Sequence, residues 1–376
     1  MQYMVEMYVD YFGDDQEQVN HPYTLENFIG SGGMGTVFKI TKSDWPNAGG
    51  AEKLTDIAHL PYSEENVIVS PARMLLLDDN RIAANGHIMD LGSVRANKLR
   101  RALYESEIMK ELKSEPHVIQ PGENRYVNFA GTLTFVTGMG YVPGKTVHDY
   151  LLDGLDSRDA GKIIADMGQA LKTLEKRGIV HRDVKPKNVM YTPFEPGRGN
   201  ATLIDFGLAI KTNGPPNYAS DEVLEFLMDD SSDYRGKVAG TPGYLAPEEV
   251  RGDPVTEKTD TFTLGLLAYE LFTGEPAFRP FPFDGEINLF DNLYKLATFD
   301  NKRRKQLLDT MFEKDIPLDL GKAVDMTLYS QPEMRVSGPL IAEARYLASG
   351  EDRPSYEIRS EPTIIPELPS ESSIIL

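Results

Sequence analysis

The chain has no cysteine in its 376 residues. Disulfides, thiolate metal ligands and a thiol nucleophile are therefore excluded, and the absence fits a reducing compartment. No apolar run approaches the ~20 residues needed to cross a bilayer. Met1–Tyr11 lacks the basic stretch and apolar core of a secretion signal. A soluble, intracellular and cytoplasmic protein with no membrane span is the expectation. Positive charge is scarce as well: 39 Lys and Arg face 58 Asp and Glu, for a net charge of −19. Phosphate repulsion would then dominate any encounter with nucleic acid, which argues against such a partner. The acidity points only weakly to basic partners, and solubility accounts for it more simply. What remains is an ordinary globular composition, 40% hydrophobic, long enough for two lobes plus tails.

Residues 181–188 read His-Arg-Asp-Val-Lys-Pro-Lys-Asn, and Asp205-Phe206-Gly207 follows downstream. Two acids, an Asn and a Lys in this pattern suit the movement of a phosphoryl group between a nucleotide and a hydroxyl. Asp183 can accept the proton of the attacking hydroxyl, and Lys185 can neutralise charge on the phosphate. Asn188 and Asp205 offer hard oxygen ligands to Mg²⁺. A solvated polar loop is the rival explanation. It fits His-Arg-Asp alone, but not with Asn five residues after Asp183 and the Asp-Phe-Gly turn beyond.

Residues 30–37 read Gly-Ser-Gly-Gly-Met-Gly-Thr-Val, between strand-like Tyr23–Ile29 and strand-like Thr36–Ile40. Glycines let backbone N–H groups approach phosphates because no Cβ stands in the way. Gly30, Ser31, Gly32, Gly33, Gly35 and Val37 are thus candidate nucleotide contacts, although a lone glycine-rich stretch is a weak signal. Downstream, residues 240–248 read Gly-Thr-Pro-Gly-Tyr-Leu-Ala-Pro-Glu. Asp159–Arg177 carries Ile163, Ile164, Met167, Leu171 and Leu174 at helical spacing and stops at Gly178.

With these segments in this order, the chain resembles the eukaryotic-type (Hanks-type) Ser/Thr protein kinase family from about Tyr23 to about Ala348. The resemblance implies an α+β, two-lobed protein-kinase-like fold with a small β-rich N-lobe and a larger helical C-lobe. The chain then divides into an N-terminal arm (1–22), either a flexible arm or a short extra strand, the N-lobe (23–138, with an insertion at about 42–84), a hinge (139–144), the C-lobe (145–348) and a disordered tail (349–376). It implies transfer of the ATP γ-phosphate, with Mg²⁺, to Ser or Thr of protein substrates, including the chain itself. Thr241 would hydrogen-bond Asp183 and Lys185. Gly138-Met-Gly-Tyr-Val142 matches the hinge, with Met139 behind the adenine and Gly140 and Val142 pairing with its edge. Asp260 would brace the catalytic loop, and Arg335 would pair with Glu248. Oligomeric state is left open.

One element of the pattern is missing. The family carries a Lys on its third strand, which contacts the α/β-phosphates and pairs with a Glu on the next helix. Glu105, in the helix-like Arg100–Leu112, fits that Glu. Counting back the usual distance lands on Asn85–Asp90, with His87 where Lys is expected, and Lys98 lies on the same helix as Glu105. Three accounts stay open: Arg73 on a strand at Val67–Leu77, a cation from elsewhere such as Lys39, or none. Neutral His87 would bring no charge, and Arg does not simply replace Lys. A pseudokinase-type nucleotide-binding scaffold is therefore the alternative function. Retention of Asp183, Lys185, Asn188 and Asp205 favours a rewired N-lobe over a dead one. A transferase acting on a small molecule is a further rival, opposed by the 240–248 segment.

Between Asp205 and Glu248, Ser220–Tyr234 mixes apolar and acidic residues at helix-compatible spacing and is either a gating helix or a solvated excursion. Arg182 is the position that receives an activation-loop phosphate in the family. Ser231, Ser232 and Tyr234 are candidate acceptors, and Asp229, Asp230 and Asp233 are partial mimics of that charge. Lys302-Arg-Arg-Lys305 reads as a solvated helix face rather than a docking patch.

Overall fold

Strands dominate up to residue 90 and helices thereafter. The computed structural model describes residues 5–12, 18–32, 35–42, 45–59, 68–69, 74–76, 81–84, 87–129, 132–214, 240–278 and 289–350. The strand-rich part begins with β1 (Val5–Phe12), β2 (Gln18–Gly32), β3 (Gly35–Lys42), β4 (Trp45–His59) and β5 (Ile68–Val69). A separate meander follows, made of β6 (Met74–Leu76), β7 (Arg81–Ala84) and β8 (His87–Asp90). It delivers the chain into α1 (Gly92–Glu111). After α1, β9 (Arg125–Phe129) and β10 (Thr132–Gly140) return to the first sheet. That sheet is antiparallel, in the order β1-β2-β3-β4-β10-β9-β5.

The segment expected to be an insertion is thus partly a central strand. β4 lies between β3 and β10, with Lys53 opposite Val37 on one side and Thr137 on the other. Ala51, Lys53 and Thr55 share its buried face, as the two-residue period of a strand requires. Sequence periodicity missed it because that face carries a Lys and a Thr where a hydrophobic pattern needs apolar residues. Pro46, Gly49 and Gly50 weaken the strand signal further. His87 does not lie on the strand of the missing cation, because β8 belongs to the three-stranded meander. Within the N-terminal segment Val5–Phe12 is β1, paired with β2, the short extra strand that was one of its two expected forms.

The helical part opens with β11 (Lys145–Thr146) and α2 (Val147–Asp153), whose first turn is capped by the Thr146 hydroxyl accepting from the Asp149 N–H. In α3 (Ser157–Lys176) the apolar residues at helical spacing are all buried, and Gly178 follows at φ 65°. Next come β12 (Ile179–Val180), β13 (Val189–Thr192), β14 (Asn200–Leu203) and β15 (Ile210–Lys211), the first and last of which pair with each other. Then follow α4 (Pro247–Arg251), α5 (Thr259–Thr273), α6 (Leu289–Ala297), α7 (Asn301–Glu313), α8 (Leu318–Asp325) and α9 (Gly338–Ser349). α5 is buried along almost its whole length and ends at Gly274 in the left-handed region, φ 75°. The core runs continuously from Ile108 and Met109 of α1 through α3, β13, β14 and α5 to Leu340 and Ala344 of α9.

On α7, Lys302 and Lys305 are exposed, while Arg304 pairs with Asp325 at 3.2 Å and stacks over the Tyr329 ring. The expected helix at Ser220–Tyr234, with Ser231, Ser232 and Tyr234, and the tail beyond residue 350 lie outside the described residues, as do Gly33 and Arg73.

Candidate active site

The loop after β12 is held from below by one buried carboxylate. Asp260, at the start of α5, accepts the backbone N–H of His181 at 2.7 Å and of Arg182 at 3.0 Å. Burial raises the Asp260 carboxyl above its ordinary range, against the pull of His181 and Arg182. Arg182 itself takes φ 67°, a region that a bulky residue seldom enters. The His181 ring packs edge-on to Phe206, 4.7 Å between centroids, and meets the Ile204 carbonyl at 3.1 Å. The 181–188 loop and the Asp205-Phe-Gly turn are thereby packed as one unit.

The Asp183 carboxylate is the convergence point. Lys185 donates to its Oδ2 at 2.5 Å, Thr241 to its Oδ1 at 2.8 Å, and the Asn188 amide to its Oδ2 at 2.7 Å. Lys185 also reaches the Thr241 hydroxyl at 2.5 Å, closing a triangle. The Asn188 amide nitrogen makes a second bond, to the Asp183 carbonyl at 2.8 Å. Both bonds use nitrogen, so the amide oxygen of Asn188 is available to a cation.

The cation missing from the sequence pattern is Lys53. Its Nζ lies 3.1 and 2.9 Å from the two Glu105 oxygens and 3.0 Å from Asp205 Oδ1. The cation thus comes from elsewhere, as one of the three accounts had it, but from neither of the described residues His87 and Lys39. His87 lies on β8 in the meander, Arg73 lies outside the described residues, and the Lys39 ammonium sits over the Tyr141 ring, 5.1 Å from its centroid. Lys53 and Glu105 stand 52 residues apart, because β5 and the meander intervene between strand and helix. Counting back a short interval from Glu105 therefore fails. Gly207 also belongs to this contact: a Cβ there would lie 3.2 Å from Asp205 Oδ1 and 3.5 Å from Lys53 Nζ. Burial alone would push the Lys53 ammonium down, but Glu105 and Asp205 outweigh it and hold it above its ordinary value. Desolvation likewise opposes ionisation of Asp205, and Lys53 prevails, keeping that carboxyl below its usual range.

The Asp205 side chain remains 44% exposed, so it faces open space while anchored through one oxygen. Asn188 and Asp205 together offer hard oxygen donors. That donor set suits a divalent cation that keeps waters and takes phosphate oxygens as its other ligands, and it does not build a closed protein cage.

The residues expected as nucleotide contacts fall on two further elements. Gly30, Ser31 and Gly32 end β2 and pair with Val37, Thr36 and Gly35 of β3, so the glycine-rich stretch is the tip of a hairpin. Met139 and Val142 pack partly buried against the core, and the Gly140 N–H donates to the Gln120 carbonyl at 2.9 Å. Residues 240–248 meet the Asp183 centre through Thr241 and lead into α4. Tyr244 donates to Glu270, and Arg335 grips Glu248 through two bonds of 2.6 and 2.7 Å. Glu249, which motif reading passed over, accepts from Arg182 at 3.0 Å with both side chains buried.

A family model described as the protein kinase domain matches residues 74–347. The match begins beyond β4, so Lys53 lies outside it. The serine/threonine-protein kinase PknB of Mycobacterium leprae is 32% identical over 209 residues, covering 55% of this chain and 29% of that protein. PknB of Mycolicibacterium smegmatis is 38% identical over 151 residues, 39% of this chain and 21% of the relative. PknA of Mycobacterium tuberculosis is 26% identical over 312 residues, 75% of this chain and 63% of the relative. The chain thus spans less than a third of the PknB proteins it matches.

Proposed function

We infer the activity from one premise: the chain belongs to the protein kinase domain family. We propose that it transfers the γ-phosphate of ATP to Ser or Thr hydroxyls of protein substrates, itself included. One observation carries this reading: Asp183 is held simultaneously by Lys185, Thr241 and Asn188. A carboxylate fixed by three donors orients an acceptor hydroxyl and takes its proton. The hydroxyl oxygen forms a bond to the γ-phosphorus, the bond to the β–γ bridging oxygen breaks, and ADP leaves. Lys185 neutralises charge on the phosphoryl group in transit. Lys53, fixed by Glu105 and Asp205, places its ammonium at the α/β-phosphates. The 30–37 hairpin tip covers the phosphates, and Met139, Gly140 and Val142 receive the adenine. Mg²⁺ is the divalent cation proposed for Asn188 and Asp205, where it would neutralise phosphate charge.

The pseudokinase alternative rested on a missing lysine, and Lys53 removes that reason. The 240–248 ledge beside Asp183 favours a peptide over a small-molecule acceptor. Among the described residues no helix is long and apolar enough to cross a membrane. The test is phosphotransfer from labelled ATP with Mg²⁺, to the chain itself and to a generic basic protein. Label present in the wild type and absent in Asp183→Asn and Asp205→Asn is expected. No label in the wild type, despite a Mg²⁺-dependent thermal shift with ATP, would replace the kinase by a nucleotide-binding scaffold.

A further inference from the structure

Glu249 is one of the most deeply buried acids of the described chain and touches neither the ATP-side residues nor the Asp183 triangle. Its side chain is 0% exposed and that of Arg182 1%. Each carboxylate oxygen has a defined partner: Oε1 accepts from Arg182 Nε at 3.0 Å, and Oε2 accepts from the Ala246 N–H at 3.0 Å. One carboxylate therefore ties the first turn of α4 to the residue immediately before Asp183. The bond from the Ala246 N–H makes Glu249 the N-terminal cap of that helix, but it is not the helix's tie to the rest of the core. The neighbouring Glu248 supplies that tie, bound to Arg335 and to the Thr259 hydroxyl.

The geometry on the other side of Asp183 gives this tie its consequence. Thr241 donates to Asp183, and Glu249 accepts from Arg182. The 241–249 segment is thus fastened to the 182–185 loop at both ends. Arg182 sits at φ 67°, a conformation that needs fixing from outside. Asp260 fixes its backbone and Glu249 its side chain. Releasing either end of the segment would let the Asp183 carboxylate and the Thr241 hydroxyl drift apart.

We propose that Glu249 is a positioning residue for phosphotransfer: through Arg182 it sets Asp183 against Thr241 and couples the peptide ledge to the catalytic loop. In doing so it supplies Arg182 with an anion from the chain's own α4, at the position where a phosphate was expected. The inference rests on the kinase reading above. It does not involve the nucleotide site, so loss of Glu249 lowers turnover while ATP binding is kept.

The experiment compares wild type, Glu249→Ala and Glu249→Gln of the full chain in steady-state phosphorylation of a generic basic protein. Melting temperature is measured with and without Mg·ATP. A misplaced reacting group typically costs on the order of 100-fold. Glu249→Ala is expected to lose about that factor in kcat, with KM for ATP and the Mg·ATP-induced thermal shift unchanged. Glu249→Gln, which keeps an acceptor for Arg182 but no charge, recovers part of the loss. Combining Glu249→Ala with Thr241→Val should cost less than the two single losses multiplied, because both act on the same carboxylate. Three results overturn the proposal: kcat of Glu249→Ala within twofold of wild type; loss of kcat together with the Mg·ATP shift; or fully multiplicative losses. Should Glu249→Ala fail to fold, Glu249→Gln decides alone, and full activity in it overturns the proposal. An inactive wild type defeats the kinase reading itself, and the proposal falls with it.

Discussion

The two halves of the site are built on different principles. In the helical part, chemistry is concentrated in one short loop: Asp183, Lys185 and Asn188 lie within six residues, and Thr241 reaches them from the ledge. In the strand-rich part, one cation comes from β4, its partner comes from α1 52 residues later, and register alone brings them together. A loop centre is written in adjacent residues because adjacent residues must converge on one point. A strand centre needs only that Lys53 fall on the buried face opposite Val37 and Thr137, and any residue may flank it. The loop half should therefore respond all-or-none to substitution, and the strand half by degrees.

The largest expected effect falls on the loop half. Asp183→Asn removes the proton acceptor, and such groups contribute roughly 10²–10⁴-fold. A loss of about 10³-fold in kcat is expected, with a melting temperature within a few degrees of wild type. Residual activity of a tenth or more would place the proton acceptor elsewhere.

Arg335→Met comes next and tests whether the helical half depends on buried charge pairs distant from the chemistry. Arg335 and Glu248 are almost fully buried, so removing the arginine strands a carboxylate in the interior. Breaking such a pair costs about 3–5 kcal/mol. Thermal unfolding should show a fall of about 10 °C, a few degrees per kcal/mol for a domain of this size. An unchanged midpoint would mean that water reaches Glu248 readily.

Lys53→Met addresses the strand half directly. Loss of one preorganised charge partner costs on the order of 10²–10³-fold, and about 100-fold is expected here, against no more than twofold for His87→Ala or Arg73→Ala. A reversed ranking would break the assignment of β4 as the strand that carries the cation.

That ranking also marks what the sequence made legible. The helical part was read almost residue by residue: Asp183, Lys185, Asn188, Asp260 and the Arg335–Glu248 pair all carry their identity in local motifs. Glu105 was legible because Glu105-Ser-Glu-Ile-Met on a helix-like stretch fits the family's pattern. Lys53 was not. β4 has Pro46, Gly49 and Gly50 early in its length and polar residues on its buried face, so neither propensity nor alternation singles it out. The meander of β6, β7 and β8 then places His87 at the distance from Glu105 where a lysine is expected. Glu249 escaped for another reason. Next to the Ala-Pro-Glu motif it reads as one more surface acid, and only the fold shows that it is buried against Arg182.

The smallest expected effect concerns that same acid and is read through pH. Burial, first among the causes, pushes the Glu249 carboxyl up from 4.5 to about 7 against the pull of Arg182 and the Ala246 N–H, with Asp260 adding repulsion. The groups around it are Arg182 and Asp260, with His181 beyond on the Asp260 carboxylate. A carboxyl raised on folding binds a proton in the folded state that the unfolded chain does not hold between those two values. Its contribution to stability is fully present below 4.5 and is lost as pH rises through about 7. Wild type should therefore gain on the order of 2 kcal/mol relative to Glu249→Gln as pH falls from 7 to 4.5. Paired denaturant titrations at both pH values measure the difference. At the Lys53 centre Asp205 is held below its usual range and Lys53 above its own, but burial raises the Glu105 carboxyl too, so that centre shifts in the same direction and cancels only because wild type and Glu249→Gln share it. A difference that stays constant with pH would mean that Glu249 remains ionised throughout, with Arg182 fully offsetting the cost of its burial.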